Sequence, residues 1–347
     1  MHMIANPYRG GDRLASGVPY PSVDAGRVAD LLRRCPKAAS TPLGTARGLA
    51  PVGALWVKDE RSRMGLGSFK ALGAAYVIAR QAADRAADPG AQTLTDRTYV
   101  TASAGNHGMS VAAGARIFGA RAVVYIAATV PESFADRLRG LGARVVREGA
   151  DYAAAMQAAQ TAAEVEGWTL LSDSSWEGYT DLPHVLMEGY LQMAAEAVAQ
   201  CPEVPTHVFL QAGVGGMAGA VAAYVRKAWG DAPRIVVVEP DAAPALQASI
   251  AAGRATFADG PDSIMGRLDC KAPSLIALNG LARDADHFLT VSDDDVTAKL
   301  PQIAAAGFET TASGGAGIAA VMDARVRDAL DIGAQARVLC FLSEVAD

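Results

Sequence analysis

An alternation restricts this chain more than any other feature. Short β-branched runs are followed repeatedly by alanine-rich stretches of helical length. Runs at 54–60, 98–104, 121–128, 143–149 and 168–175 form one series, and those at 206–216, 234–240, 286–293 and 337–344 a second. Strand then helix, repeated, predicts an α/β fold of parallel sheets covered on both faces. Ligands of such folds collect at the carboxyl ends of strands. Two glycine turns lie there, in "TASAGNHG" (101–108) and "QAGVGGMAGAV" (211–221).

The 347 residues suit two domains at roughly 150 residues each. A 51% hydrophobic content can fill large cores, and a net charge of −6 without a Lys/Arg block speaks against a nucleic-acid partner. No apolar run reaches the roughly 18 residues of a spanning helix. The opening "MHMIANPYRGGDRLASG" has no apolar secretory core. Cys35, Cys201, Cys270 and Cys340 are scattered, and the histidines are not spaced as ligand pairs. This pattern predicts no metal site, no disulfide framework and a reducing cytoplasm.

"RSRMGLGSFKALGAAYVI" (61–78) places Lys70 between a glycine-rich turn and an apolar run. Ser68 is a suitable N-cap, which makes Phe69 and Lys70 the first residues of a helix expected to reach Ala87. A cation there faces the positive end of the helix dipole. Such a lysine either snorkels to solvent or serves as a neutral amine, or as an imine to a carbonyl cofactor.

Gly213, Gly215 and Ala218 fit the G-x-G-x-x-G/A pattern, and Glu239 ends the next strand, where a ribose-binding acid would sit. A nicotinamide-dependent oxidoreductase is therefore one reading of this turn. Bare N–H groups at a helix start bind phosphate whichever cofactor carries it. In the other turn Thr101, Ser103 and Asn106 could bind a carboxylate or phenolic oxygen, or Asn106 and His107 could simply cap the helix. Asp173, Trp176, Glu177 and Tyr179 cluster after a strand, where an acid could take a proton.

Taken in order, "TPLGTARGL", "SFK", "SAGNHG", "SDSSWEGYTDLP", "QAGVGG", "VEPDAA" and "SIMGRLDCKAPS" resemble the fold-type II pyridoxal phosphate (PLP) enzymes, and among them the diaminopropionate ammonia-lyase family. The resemblance runs from about Thr41 to Ser343. It implies two three-layer domains built on parallel sheets. Residues 1–83 and 195–347 would form the cofactor-binding domain, and 84–194 a smaller substrate-clamping one. It also implies PLP as cofactor, Lys70 as Schiff-base lysine and Asn106 at the phenolic oxygen. Gly213, Val214, Gly215, Gly216 and Met217 would cradle the phosphate, and Ser343 would face the pyridine nitrogen.

Ser103, with Gly105, Asn106 and His107, would receive the substrate carboxylate. Asp173 matches an acidic position of the family and would share proton transfer with Lys70. A neutral hydroxyl at Ser343 favours β-elimination or substitution over transamination. The expected reaction releases pyruvate and ammonia from a small amino acid, first 2,3-diaminopropionate, in a homodimer. Ala104 departs from the pattern, since the family usually carries an acid there. It leaves open a serine, threonine or 3-hydroxyaspartate dehydratase, or a β-synthase, and Asp173 alone favours an L-amino acid.

Overall fold

A computed structural model describes residues 1–346. Its strands are β1 (His2–Ala5), β2 (Leu43–Thr45), β3 (Ala54–Asp59), β4 (Thr98–Ala102), β5 (Arg121–Ile126), β6 (Arg144–Arg147), β7 (Thr169–Leu170), β8 (His207–Gln211), β9 (Arg234–Pro240), β10 (His287–Val291) and β11 (Arg337–Leu342). They form a seven-stranded sheet in the order β1-β10-β9-β8-β11-β3-β2 and a four-stranded sheet in the order β6-β5-β4-β7. The smaller sheet is parallel throughout. The larger is parallel inside, but both its edges are antiparallel, β1 against β10 and β2 against β3. No helix among the described residues is long and apolar enough to cross a membrane.

The inner strands are apolar at nearly every position because both faces are covered. Side chains alternate between faces with a period of two. Val208, Leu210, Ile235, Val237, Leu339 and Phe341 share one core with the helices Gly216–Trp229 and Leu275–Asp284. Phe209, Val236, Val238, Val338 and Cys340 turn to the other face, against the helix Ala312–Met322. The smaller sheet repeats the scheme: Val123 and Tyr125 pack on Ala155, Ala159 and Ala163 of the helix Tyr152–Glu166.

Three elements differ from the sequence expectation. The helix opening at Phe69 is a short 3₁₀ turn, Phe69–Leu72, separated by Gly73 from the helix Ala74–Arg85. A Cβ on Gly73 would sit 2.8 Å from the Tyr190 hydroxyl oxygen, so the chain breaks where that ring presses on it. Over 183–200, where the alternation predicts one helix between two strand series, the chain forms two, Asp181–Gly189 and Leu191–Gln200, joined at Tyr190. At Gly189 a Cβ would lie 1.9 Å from the Leu72 carbonyl oxygen; only glycine lets this helix approach the 3₁₀ turn so closely. The run at 168–175 pairs only over two residues, because it then bends away to carry site residues.

The approach to Lys70 is anchored by buried charge. Lys58, Glu60 and Arg63 are at most 1% exposed, and Glu196 is 8% exposed. Lys58 Nζ lies 2.7 Å from Glu196 Oε2. Arg63 meets Glu60 through Nε at 2.7 Å and Glu196 through Nη2 at 2.7 Å. Two cations and two carboxylates balance, and the Thr41 hydroxyl donates to Glu60 at 2.6 Å. Paired this way, buried charges are tolerated; removing one partner of such a set typically costs about 3–5 kcal/mol.

Burial alone would raise the Glu196 carboxyl, but Arg63 and Lys58 hold it down at about 2, against an ordinary 4.5. A depressed carboxyl adds stability that is complete above its ordinary pKa and is lost as pH falls toward the folded value. The denaturant midpoint should therefore drop between about pH 5 and pH 2. Glu196→Gln should lower the midpoint at pH 7 and make that drop shallower. An equally steep drop in the variant would show that Glu196 does not contribute to it.

Candidate active site

Lys70 stands at the mouth of a cavity of about 880 Å³ between the two sheets. The turn that carries it is set by its neighbours in the chain. Gly65 and Gly67 take φ of +73° and +77°, a region open to glycine. Ser68 caps the turn, its hydroxyl accepting from the Lys70 N–H at 3.3 Å, as the sequence predicts. The end of β11 is pinned beside it: Phe69 N–H donates to the Ser343 carbonyl at 3.1 Å, and Val345 N–H to that of Gly67 at 2.9 Å. Ser343 thus reaches the same cavity as Lys70.

Asp173 comes from the other sheet, three residues beyond β7, and its carboxylate is in contact with Lys70 Nζ. Burial pushes the lysine down and the acid up, but their mutual attraction outweighs it. Lys70 is raised and Asp173 lowered, so the pair is ammonium and carboxylate. The sequence instead predicts a lysine at a helix start, where the dipole favours the neutral amine. The four-residue turn offers only a short dipole, and the acid opposite it reverses the expected shift.

The second glycine turn closes the cavity. Gly213, Val214, Gly215, Gly216 and Met217 line it where β8 runs into the helix Gly216–Trp229. Gly215 has φ +93°, the conformation that swings the chain from strand to helix. A Cβ on Gly216 would come into ordinary contact with Met187 and Tyr190 at 3.7 Å, and one on Gly213 would lie 2.9 Å from Cys270 Sγ, so the turn is closely packed from behind. The first N–H groups of a helix have no carbonyl partner within it. Facing an open cavity, they fit a phosphate.

The turn after β4 supplies the remaining wall. Ser103, Gly105, Asn106 and His107 line the cavity at the start of the helix Asn106–Ile117. A Cβ on Gly105 would meet no atom within 4 Å, so this rim too is open. His107 Nε2 lies 2.8 Å from the Leu171 carbonyl oxygen. That oxygen can only accept, so Nε2 carries the proton and Nδ1 is the bare nitrogen, buried without a partner. Burial pushes the imidazole pKa down. Neither Asn106 nor His107 caps the helix, whose N-cap is Gly105 without a side-chain bond.

The residues that the family resemblance assigns to catalysis, cofactor and substrate all line one cavity, brought together from both sheets, whereas Thr101, Glu177 and Tyr179 lie outside its lining. Other wall residues carried no signal of their own: Tyr152, Gln211, Arg267, Cys270 and Glu344 also line it. Glu344 follows Ser343 directly, so the strand end that marks one marks the other.

The dinucleotide reading does not survive the geometry. Glu239 is fully buried at the end of β9. Its two oxygens accept from the N–H groups of Leu246 and Gln247, at 2.7 and 2.8 Å. Burial pushes its carboxyl up to about 8, against the pull of those donors. It caps the helix Ala245–Ala252 and cannot reach a ribose.

Comparison with known proteins agrees with the donor set. The pyridoxal-phosphate dependent enzyme family matches residues 36–344. Diaminopropionate ammonia-lyase of Salmonella typhimurium is 34% identical over 303 residues, 79% of this chain and 74% of that one. The Escherichia coli K12 protein of the same name is 34% identical over 252 residues, 68% of this chain and 63% of that one. L-threonine ammonia-lyase of Thermotoga maritima is 27% identical over 297 residues, 85% of this chain and 68% of that one.

Among solved structures, Escherichia coli diaminopropionate ammonia lyase in complex with an aminoacrylate-PLP azomethine reaction intermediate superposes with a TM-score of 0.86 at 28% identity. The match covers 99% of this chain and 93% of that one. With the family match running through nearly all of its length, the chain belongs to the pyridoxal-phosphate dependent enzymes, and pyridoxal phosphate is its cofactor.

Proposed function

We propose that the chain is a β-eliminating ammonia-lyase for a small amino acid, with 2,3-diaminopropionate as the first substrate. One observation carries this reading: Lys70 and Asp173 meet as an ion pair at a cavity that the glycine turn 213–217 also lines. The diaminopropionate ammonia-lyases of Salmonella typhimurium and Escherichia coli support the substrate. On it the balance is 2,3-diaminopropionate plus water giving pyruvate plus two ammonia.

Bound PLP supplies an electron-accepting ring that makes the substrate Cα–H acidic. Lys70 would hold its aldehyde carbon, Gly213–Met217 its phosphate, Asn106 its phenolic oxygen and Ser343 its ring nitrogen. Ser103 and the N–H groups around Gly105 and His107 would take the substrate carboxylate at a helix start, where anions are favoured. Asp173, kept ionised by Lys70, accepts a proton; Lys70 Nζ, in contact with it, carries one. A proton taken at Cα can pass between them and leave with the β-substituent. Such acid–base work is typically worth about 100- to 10,000-fold.

Ala104 lines the cavity with a methyl group, at a position where the family resemblance implies an acid. One carboxylate then serves the Cα–H, which supports preference for a single enantiomer, the L form. A second reading, loss of water from serine or threonine, draws support from Ala104 and from the likeness to L-threonine ammonia-lyase. The division into a cofactor domain (1–83 and 195–347) and a smaller domain (84–194) belongs to this proposal. It is supported by the smaller sheet, whose strands all fall within 98–170. A cytoplasmic homodimer is part of the same reading.

A panel of 2,3-diaminopropionate, serine and 3-hydroxyaspartate in both enantiomers, with L-threonine, tests it by product ratio. Diaminopropionate turnover gives two ammonia per pyruvate, and serine turnover gives one. Highest kcat/KM on serine or threonine would replace the proposed substrate with the second reading. Lys70→Ala should abolish the borohydride-fixed cofactor adduct and nearly all turnover; retained activity would overturn the site. Asp173→Asn should leave the adduct but lower kcat by about 100- to 10,000-fold, and an unchanged kcat would remove Asp173 from proton transfer.

A further inference from the structure

Glu344 is 3% exposed, yet its carboxylate borders the cavity. Four elements meet on it. Asn106 Nδ2, at the start of a helix of the smaller sheet, donates to Oε2 at 2.6 Å. Arg267 Nη1 lies 3.1 Å from Oε1. Thr311, the N-cap of the helix Ala312–Met322, donates to the same oxygen. The backbone of Glu344 bridges to Ser68, two residues before Lys70, and its carbonyl accepts from the Thr310 hydroxyl at 2.6 Å.

Two consequences follow from this chemistry. A carboxylate only accepts, so the Asn106 amide must turn its nitrogen toward Glu344. One of its two N–H groups is then committed to Glu344, and the second is the donor left for an oxygen in the cavity. Arg267 belongs to residues 254–274, which contain no helix or strand and contribute Arg267, Asp269, Cys270 and Lys271 to the wall. Loops of this length inside a compact domain are usually functional. Charge-assisted hydrogen bonds to a buried carboxylate are among the stronger ties available to such a loop.

We propose that Glu344 is a positioning residue of this site: its carboxylate orients the Asn106 amide toward the bound cofactor and latches the 254–274 loop through Arg267. The inference rests on the function proposed above and adds to it a residue that touches no reacting atom. Asn106 directs a hydrogen bond at the cofactor only while Glu344 holds the amide, and the loop covers the substrate only while Arg267 is engaged. Supporting groups of this type keep a site within the tolerance its chemistry needs.

The test is a mutant cycle on holoenzyme: Glu344→Ala, Asn106→Ala and the double variant, with Glu344→Gln as the version that keeps an acceptor oxygen. Glu344→Ala should lower kcat roughly 10- to 100-fold and change the absorption and emission of the bound cofactor. Glu344→Gln should restore much of that spectrum. If Glu344 acts through Asn106, the double variant is no slower than the worse single variant within about two-fold. Losses that multiply, or a Glu344→Ala spectrum identical to wild type, would overturn the proposal.

Where Glu344→Ala shows no cooperative unfolding transition, the same cycle run with Glu344→Asp, which withdraws the carboxylate from Asn106 by one methylene, decides in the same way. Arg267→Ala should raise KM more than it lowers kcat and speed amide exchange across 254–274; unchanged exchange would remove the latch. The wild-type adduct at Lys70 is measured in parallel. Its absence would remove the proposed function itself, whereas its presence beside a multiplicative cycle would remove only the role of Glu344.

Discussion

The contact between Lys70 and Asp173 is the interaction on which this architecture depends. Each partner is delivered by a different sheet, and neither sheet alone encloses the cavity. The lysine is presented by a short turn after β3, the acid by a bend after β7. Burial disfavours both charges, and only their proximity keeps them ionised. The pair is therefore a tie between the two halves at the wall of the cavity, and the surrounding structure fixes the backbone at both of its ends.

On the lysine side the fixing is electrostatic. Lys58, Glu60 and Arg63, just upstream of the turn, and Glu196 of the helix Leu191–Gln200 neutralise one another out of water. A buried ionic set is not an economical way to gain stability compared with apolar packing. It does impose geometry, because each carboxylate oxygen has an assigned partner. On the acid side the fixing is a backbone contact: His107 holds the Leu171 carbonyl, two residues before Asp173. The strand end that brings in Ser343 completes the frame through hydrogen bonds to Gly67 and Phe69.

Much of this was legible in the sequence for physical reasons. Strands buried on both faces must be apolar throughout, so β8, β9 and β11 stand out as runs, and glycine turns at their carboxyl ends mark the cavity. The edge strands β1 and β2 are short and half exposed, and such segments carry no periodic signal. The broken helices at Gly73 and Tyr190 were hidden because local propensity favours continuation, while the breaks come from contacts with remote residues. Glu239 shows the converse error: its position fitted a ribose-binding acid, but burial made it a helix cap. Lys70 and its companions stand out through the order of motifs along the chain. Motif order also marks Asp173, but it carries no sign of its contact with Lys70 103 residues away, nor of that between Asn106 and Glu344 238 residues apart.

The close approach at Gly189 has a consequence for how the enzyme can vary. The helix ending there rests directly on the carbonyl of Leu72, two residues beyond Lys70, with no side chain between to absorb a displacement. Any residue larger than hydrogen at that point would act as a wedge, and its thrust would be passed along the turn to the ammonium group. A substitution at this position would thus be felt at Lys70, although Gly189 itself is not part of the cavity lining.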